Sequence, residues 1–215
     1  MKVVVFAGGD LGDFIQIEKY TKDAALVICA DSGVRHAFRM NIIPDIIVGD
    51  MDSASVEDIK KIEALGIEKY TFSAEKDFTD TELALRLALK KGARQVVLFG
   101  GLGSRPDHSL ANIFLMVLFK KQGMDVKLVG GNWEMSLIDN KKQFGGKKGD
   151  ILSLIPITPE VTGIRTEGLY YPLIDETISM GPARGISNVF MGDSATVTIQ
   201  SGLLLAIKLD GSKID

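Results

Sequence analysis

Four aspartates, one glycine-rich run and one arginine are the residues of this chain whose types and spacing suit chemistry. In GDMDS, Asp50 and Asp52 stand two apart, so in an extended loop both carboxylates face the same side, as oxygen ligands to one Mg²⁺ require. Asp80 offers a third carboxylate. The same residues also suit a plain turn, with Ser53 or Ser55 capping a helix from Val56 and with Ser55 and Asp58 forming a capping box. Asp80 equally suits the first turn of a helix, where a carboxylate favours the dipole. The run GGLGSRPDH lets backbone approach a phosphate closely and leads into a helix N-terminus whose free amides favour anions. Arg105 within it is placed for bidentate phosphate contacts. The alternative is a strand-to-helix turn with Arg105 solvated. Neither the GxGxxG nor the GxxxxGK[ST] pattern occurs, so a nucleotide is held some other way.

These residues need elements that bring them together. Short β-branched runs at 3–7, 26–30, 45–48, 67–72, 95–99 and 126–129 alternate with amphipathic segments, the pattern of a parallel sheet covered by helices. In such a sheet ligands bind beyond the carboxyl ends of the strands. The residues found there are Gly8, Gly9 and Asp10, then Asp31, Ser32 and Gly33, then GDMDS, EKDFTD and GGLGSRPDH, so five strand ends direct small or acidic residues toward one rim. Thr79 with Glu82 makes a capping box for a helix whose Leu83, Ala84, Leu87 and Ala88 form one apolar stripe, which puts Asp80 in its first turn. Pro106 suits a first helical position, and Leu110, Ile113, Phe114, Val117 and Leu118 follow the spacing of a buried face.

After about Gly130 helical periodicity vanishes, and short β-type runs recur between turn clusters such as FGGKKGD, ITPEVTG, MGPARG and QSG. Residues 195–200 and 203–209, joined at Ser201 and Gly202, read as a hairpin, and six or seven such strands make a small sandwich or barrel. The expected organisation is an α/β domain over 1–130 followed by an all-β domain over 131–215, the boundary lying near Gly130 to Asn140.

Composition narrows the chemistry. The chain has 215 residues, 46% apolar and 25% charged, with a net charge of −3, which is ordinary globular composition and offers no basic surface for nucleic acid. Its one cysteine and two histidines exclude an internal disulfide and a thiolate or imidazole zinc site, so a metal here is a hard one. The first apolar run is too short for a membrane span or signal peptide and reads as a buried strand, consistent with the reducing cytoplasm. His108 suits a base or phosphate contact as well as an ordinary polar role. His36, on a helix, reads as ordinary, and Cys29 as a small buried hydrophobe. Trp133, near the boundary, reads as packing.

In order, ADSGV, PDIIVGDMDS, KDFTDTELAL, GLGSRPDHSLAN, GLYYPL and GISN resemble the thiamine pyrophosphokinase family from end to end. The resemblance implies an N-terminal α/β catalytic domain, a C-terminal β-sandwich and a homodimer whose subunits share the thiamine sites. It implies that Asp50, Asp52 and Asp80 bind Mg²⁺ and that Asp31 lies near the reacting groups. Gly101, Gly103, Ser104, Arg105, Asp107, His108 and Asn112 fall on the ATP-binding segment, and Ser187 and Asn188 on the thiamine-binding pair. Tyr170, Tyr171 and Phe190 are candidates for the aromatic residue covering thiamine. The chain departs from the family at Ser104, where a second glycine is usual, at Pro106, and at Ile186, where threonine is common.

The implied reaction is attack of the thiamine hydroxyl on the β-phosphorus of ATP, with AMP leaving. It needs positioning and charge neutralisation rather than a covalent enzyme intermediate. One of Asp31, Asp50 or Asp80 would accept the hydroxyl proton; a carboxylate bound to Mg²⁺ is a poorer base, and the sequence ranks none of the three. Competing readings are a metal-dependent nucleotide phosphohydrolase, a pyrophosphokinase acting on another alcohol such as a pterin, and a non-catalytic nucleotide or thiamine sensor.

Overall fold

A computed structural model describes residues 1–12, 17–52, 54–71 and 77–213. Chain contacts divide it into two compact units, Met1–Gly131 and Asn132–Asp215.

The first unit alternates strand and helix: β1 (Lys2–Phe6), α1 (Glu18–Thr21), β2 (Leu26–Ala30), a 3-10 turn (Asp31–Gly33), α2 (Val34–Arg39), β3 (Ile46–Val48), α3 (Val56–Leu65), β4 (Glu68–Tyr70), α4 (Asp80–Lys90), β5 (Gln95–Phe99), α5 (Pro106–Lys121) and β6 (Asp125–Gly130). Its strands lie in the order β6-β5-β1-β2-β3-β4, and each adjacent pair is parallel. After β1 the chain builds outward to β4, and then returns to place β5 on the other side of β1. The cleft between β1 and β5 is thus the switch point where an open parallel sheet binds ligands. Val3, Val4, Val5 and Phe6 of β1 are fully buried, as expected for a central strand covered on both faces. The expected strand 67–72 is shorter here, Glu68–Tyr70, and Phe72 lies outside the described residues, as do Ser53, Glu75 and Lys76.

The expected hydroxyl caps form, but the carboxylates of the two expected capping boxes bond elsewhere than the backbone N–H of the cap residue. Thr79 Oγ1 accepts from Glu82 N–H at 3.2 Å, while the Glu82 carboxylate accepts from Arg86 at 2.8 Å. Ser55 caps α3, accepting from Asp58 N–H at 3.1 Å and donating to Asp58 Oδ2 at 2.7 Å. In α5 the buried face differs from the expected one. Asn112, Leu115, Met116 and Phe119 are buried, whereas Leu110 and Phe114 are 54% and 53% exposed. From 110 to 119 every residue but Asn112 is apolar, so periodicity alone has no polar side against which to orient the helix.

The second unit contains β7 (Trp133–Ile138), β8 (Lys141–Gly145), β9 (Ile151–Pro156), β10 (Glu160–Glu167), β11 (Ile174–Ser179), β12 (Asn188–Val189), β13 (Ser194–Thr198) and β14 (Leu204–Leu209). They form two antiparallel layers, β12-β9-β14-β7 and β11-β10-β13-β8. One core joins Leu152, Leu154, Leu204 and Ala206 of the first layer with Phe144, Ile164, Ile178 and Val197 of the second, the arrangement of a β-sandwich.

The expected hairpin across Ser201 and Gly202 does not form. β13 pairs with β8 and β10, while β14 pairs with β7 and β9, so the turn carries the chain from one layer to the other. Backbone donors along it go to distant partners: Ile199 N–H to Asn140, and Gln200 N–H to Thr162. A turn signal says that the chain bends, not which strand it meets.

Candidate active site

Each wall of the site begins as the loop after a parallel strand. The loops after β1 and β5 are joined through backbone: Ala7 N–H donates to Phe99, Gly9 N–H to Gly100 at 2.9 Å, and Asp10 N–H to Leu102 at 2.7 Å. Between these loops, the turn after β2 and the N-termini of α4 and α5 lies a cavity of about 410 Å³, lined by glycines with Asp31, Asp80, Arg105 and His108 among the polar groups. Gly9 has no room for a side chain, because a Cβ there would sit 2.2 Å from the Leu102 carbonyl oxygen and 2.4 Å from that of Gly100.

The acidic cluster straddles β2 and β3. Asp31, Asp50 and Asp52 each present a ligand atom within 4.8 Å of the others. Asp80 approaches from the start of α4: a Cβ on Gly49 would meet its carboxylate and the Asp31 side chain, each at 3.3 Å. Asp31 holds φ of 46° and Met51, between the paired aspartates, φ of 66°, a left-handed conformation that costs a non-glycine residue about 1–3 kcal/mol and is retained where the surroundings demand it. Asp52 N–H also reaches Asp50 Oδ1 at 3.3 Å, so Asp50 shapes the turn while its carboxylate faces the cluster. Hard carboxylate oxygens at this spacing suit Mg²⁺.

The glycine run after β5 is pinned from α5. Asn112, buried, donates through Nδ2 to the Gly101 carbonyl at 2.7 Å, and Ser109 Oγ accepts from Gly103 N–H at 3.1 Å. Gly101, Gly103, Ser104, Arg105, His108 and Asn112 all border the cavity. Asp107 instead forms a two-point ion pair with Arg105, Nε to Oδ1 at 3.0 Å and Nη2 to Oδ2 at 2.5 Å. The guanidinium hydrogen bond holds the Asp107 carboxyl well below the usual carboxylate range. Both side chains are solvated, so a phosphate can displace the aspartate at small cost.

Two residues that hold the site escaped the sequence reading. From α2, Arg35 Nη2 donates to the Gly8 carbonyl at 2.6 Å, and His36 Nε2 lies 2.7 Å from that of Gly9. Their partners are 27 residues away, and no local pattern marks a histidine for such a contact. Cys29 is buried in β2, where desolvation pushes its thiol up.

Ser187 and Asn188 lie in the second unit. Ser187 is exposed, has φ of 58°, and donates its N–H to Ser153 Oγ at 3.0 Å. Asn188 is buried: Oδ1 accepts from Tyr171 N–H at 3.0 Å and Nδ2 donates to the Tyr171 carbonyl at 2.6 Å. Its amide therefore shapes the turn that presents Tyr170 and Tyr171, which meet edge to face at 4.8 Å and are both exposed. Phe190, 0% exposed, belongs to the core and cannot cover a ligand. Asn188→Ala is expected to cost about 2–3 kcal/mol, since it leaves backbone groups of Tyr171 without their partner; urea unfolding measures this, and a loss below about 0.5 kcal/mol would contradict it.

Two family models match the chain in sequence order: "Thiamin pyrophosphokinase, catalytic domain" over residues 17–128 and "Thiamin pyrophosphokinase, vitamin B1 binding domain" over residues 136–204. The chain is 29% identical to a thiamine pyrophosphokinase of Bacillus subtilis over 219 residues, covering 97% of this chain and 99% of that one. It is 26% identical to thiamine pyrophosphokinase 1 of Oryza sativa subsp. japonica, covering 86% and 80% of the two chains. The crystal structure of thiamine pyrophosphokinase from Bacillus subtilis matches at a TM-score of 0.88 and 27% identity, over 98% of this chain and 99% of that one. A thiamin pyrophosphokinase from Candida albicans shares the fold at a TM-score of 0.82 and 16% identity, over 97% and 89% of the chains. With its metal-suited carboxylates and glycine-walled cleft at the switch point of the sheet, and with both domain models matched in order, the chain belongs to the thiamin pyrophosphokinase family.

Proposed function

We propose that this protein transfers pyrophosphate from ATP to the hydroxyl of thiamine, giving thiamine diphosphate and AMP. The observation that carries the reading is that Asp31 belongs both to the aspartate cluster and to the lining of a glycine-walled, anion-suited cleft that Asp80 also borders, in a chain that matches both family domains. The hydroxyl oxygen bonds to the β-phosphorus while the bond from that phosphorus to the α,β-bridging oxygen breaks, and the pyrophosphoryl group moves whole. The backbone of the glycine run and the N-terminus of α5 hold the phosphates. Arg105 exchanges Asp107 for a phosphate oxygen. Asp50, Asp52 and Asp80 would hold Mg²⁺, and Asp31 presents a carboxylate oxygen within 4.8 Å of those of Asp50 and Asp52. When bound, the cation supplies charge neutralisation for the phosphate oxygens. A cluster carboxylate not engaged by the cation takes the hydroxyl proton.

Ser187 and the turn held by Asn188 contribute to the thiamine site, with Tyr170 or Tyr171 covering the rings. The protein works as a homodimer with thiamine sites near the subunit interface, a reading supported by exposed apolar residues such as Ile174, Met180 and Met191 in the second unit. The cytoplasm is the proposed location. No helix among the described residues is long and apolar enough to cross a membrane.

Purified protein with ATP and Mg²⁺ is expected to release AMP only when thiamine is added, with thiamine diphosphate identified by mass spectrometry. Release of AMP or phosphate regardless of thiamine would instead mark a nucleotide phosphohydrolase. Tight binding of either substrate without turnover would mark a sensor.

A further inference from the structure

The Gly8–Gly9 wall of the cleft is gripped by two adjacent side chains of α2 that do not themselves border the cavity. His36 is 7% exposed, and since a carbonyl can only accept, its Nε2 carries the proton shared with Gly9. The same Gly9 donates to Gly100, and Asp10 to Leu102. A line of hydrogen bonds therefore runs from α2, through the loop after β1, to the glycine run after β5. The contact between the loops is also tight, with no room for a Cβ on Gly9, so a shift in one loop is passed to the other rather than absorbed. The bonds have an electrostatic consequence as well. The carbonyl oxygens of Gly8 and Gly9 carry partial negative charge beside a cleft suited to a polyanion, and each is engaged by a donor from α2.

We propose that His36, assisted by Arg35, is a positioning residue for the nucleotide, fixing the Gly8–Gly9 backbone so that the facing loops keep the spacing and polarity a polyphosphate needs. The proposal rests on the nucleotide-binding half of the proposed function. Burial pushes the His36 imidazole below its usual pKa, against the opposing pull of the Gly9 carbonyl. A neutral donor is thus sufficient, and a glutamine amide can replace it.

The test compares wild type, His36→Leu and His36→Gln by calorimetric titration with MgATP alone and by steady-state kinetics with both substrates. His36→Leu is expected to weaken MgATP binding and raise the ATP KM about tenfold, leaving the thiamine KM within about twofold. His36→Gln is expected to recover most of the loss. Unchanged MgATP binding in His36→Leu, equal impairment of the glutamine variant, or a parallel rise in both KM values would overturn the proposal. Should His36→Leu fail to fold, Arg35→Met, on an exposed residue, is expected to weaken MgATP binding about threefold at an unchanged thermal midpoint; unchanged affinity overturns the proposal equally. Wild type that binds MgATP yet releases no AMP with thiamine would remove the thiamine reading alone, because the binding comparison still stands. Wild type that does not bind MgATP would overturn both.

Discussion

Asp52→Asn is expected to lower thiamine-dependent AMP release about a thousandfold while leaving the fold intact. Asparagine keeps the shape but removes the charge, and charge stabilisation by a bound metal is worth several kcal/mol, at about 1.4 kcal/mol per tenfold in rate. The fold has little to lose. Asp52 is exposed, and its ligand atom lies within 4.8 Å of those of Asp31 and Asp50, so removing one of three like charges relieves repulsion. The thermal midpoint should therefore stay level or rise. Added Mg²⁺ should raise the midpoint of the wild type by binding the folded state, and should do so far less for the variant. Initial rates and scanning calorimetry across a MgCl₂ series measure both effects. A folded Asp52→Asn enzyme with near-native turnover would remove the metal assignment, and Asp80→Asn makes the same test for the carboxylate brought in by α4.

Gly9→Ala is expected to destabilise the protein by about 3 kcal/mol or more and to abolish measurable nucleotide binding. The new methyl would meet two backbone oxygens at 2.2 and 2.4 Å, and backbone joined by interloop hydrogen bonds has no rotamer by which to yield. Separating the loops costs the bonds from Gly9 and Asp10 to Gly100 and Leu102. Gly8→Ala is the control. There the one clash a Cβ would make is with Ser32 Oγ at 2.3 Å, the end of a side chain that can rotate away, and the expected cost is below about 1 kcal/mol. Urea unfolding of the two variants, with MgATP titration of each, compares them directly; equal losses would mean that the interloop contact does not control the site.

The readings that the structure reproduces rest on local chemistry. Thr79 and Ser55 cap their helices because a hydroxyl three residues before a backbone donor is a local arrangement. Pro106 opens α5 because its ring and missing N–H suit a first turn. The strand-end rule likewise collects Asp31, Asp50, Asp52, Asp80 and the glycine run at one rim, since parallel strands with helical crossovers must all end on the same side.

The differences arise where a partner lies far along the chain. The inward face of α5 depends on what it packs against, because nine apolar residues in ten leave no amphipathic signal. The bend at Ser201–Gly202 changes layers because Asn140 and Thr162 receive its donors. The grip of Arg35 and His36 on Gly8 and Gly9 closes over 27 residues. Sequence by itself determined the strand–helix alternation, the change to an all-β second half and the residue types at the rim, set by local backbone preference and spacing, and it carried the order of motifs by which the chain resembles its family. Only the tertiary structure decided which helix face is buried, which strands pair, how close the carboxylates stand and which side chains hold the cleft. Those depend on contacts between residues whose separation in sequence carries no periodic trace.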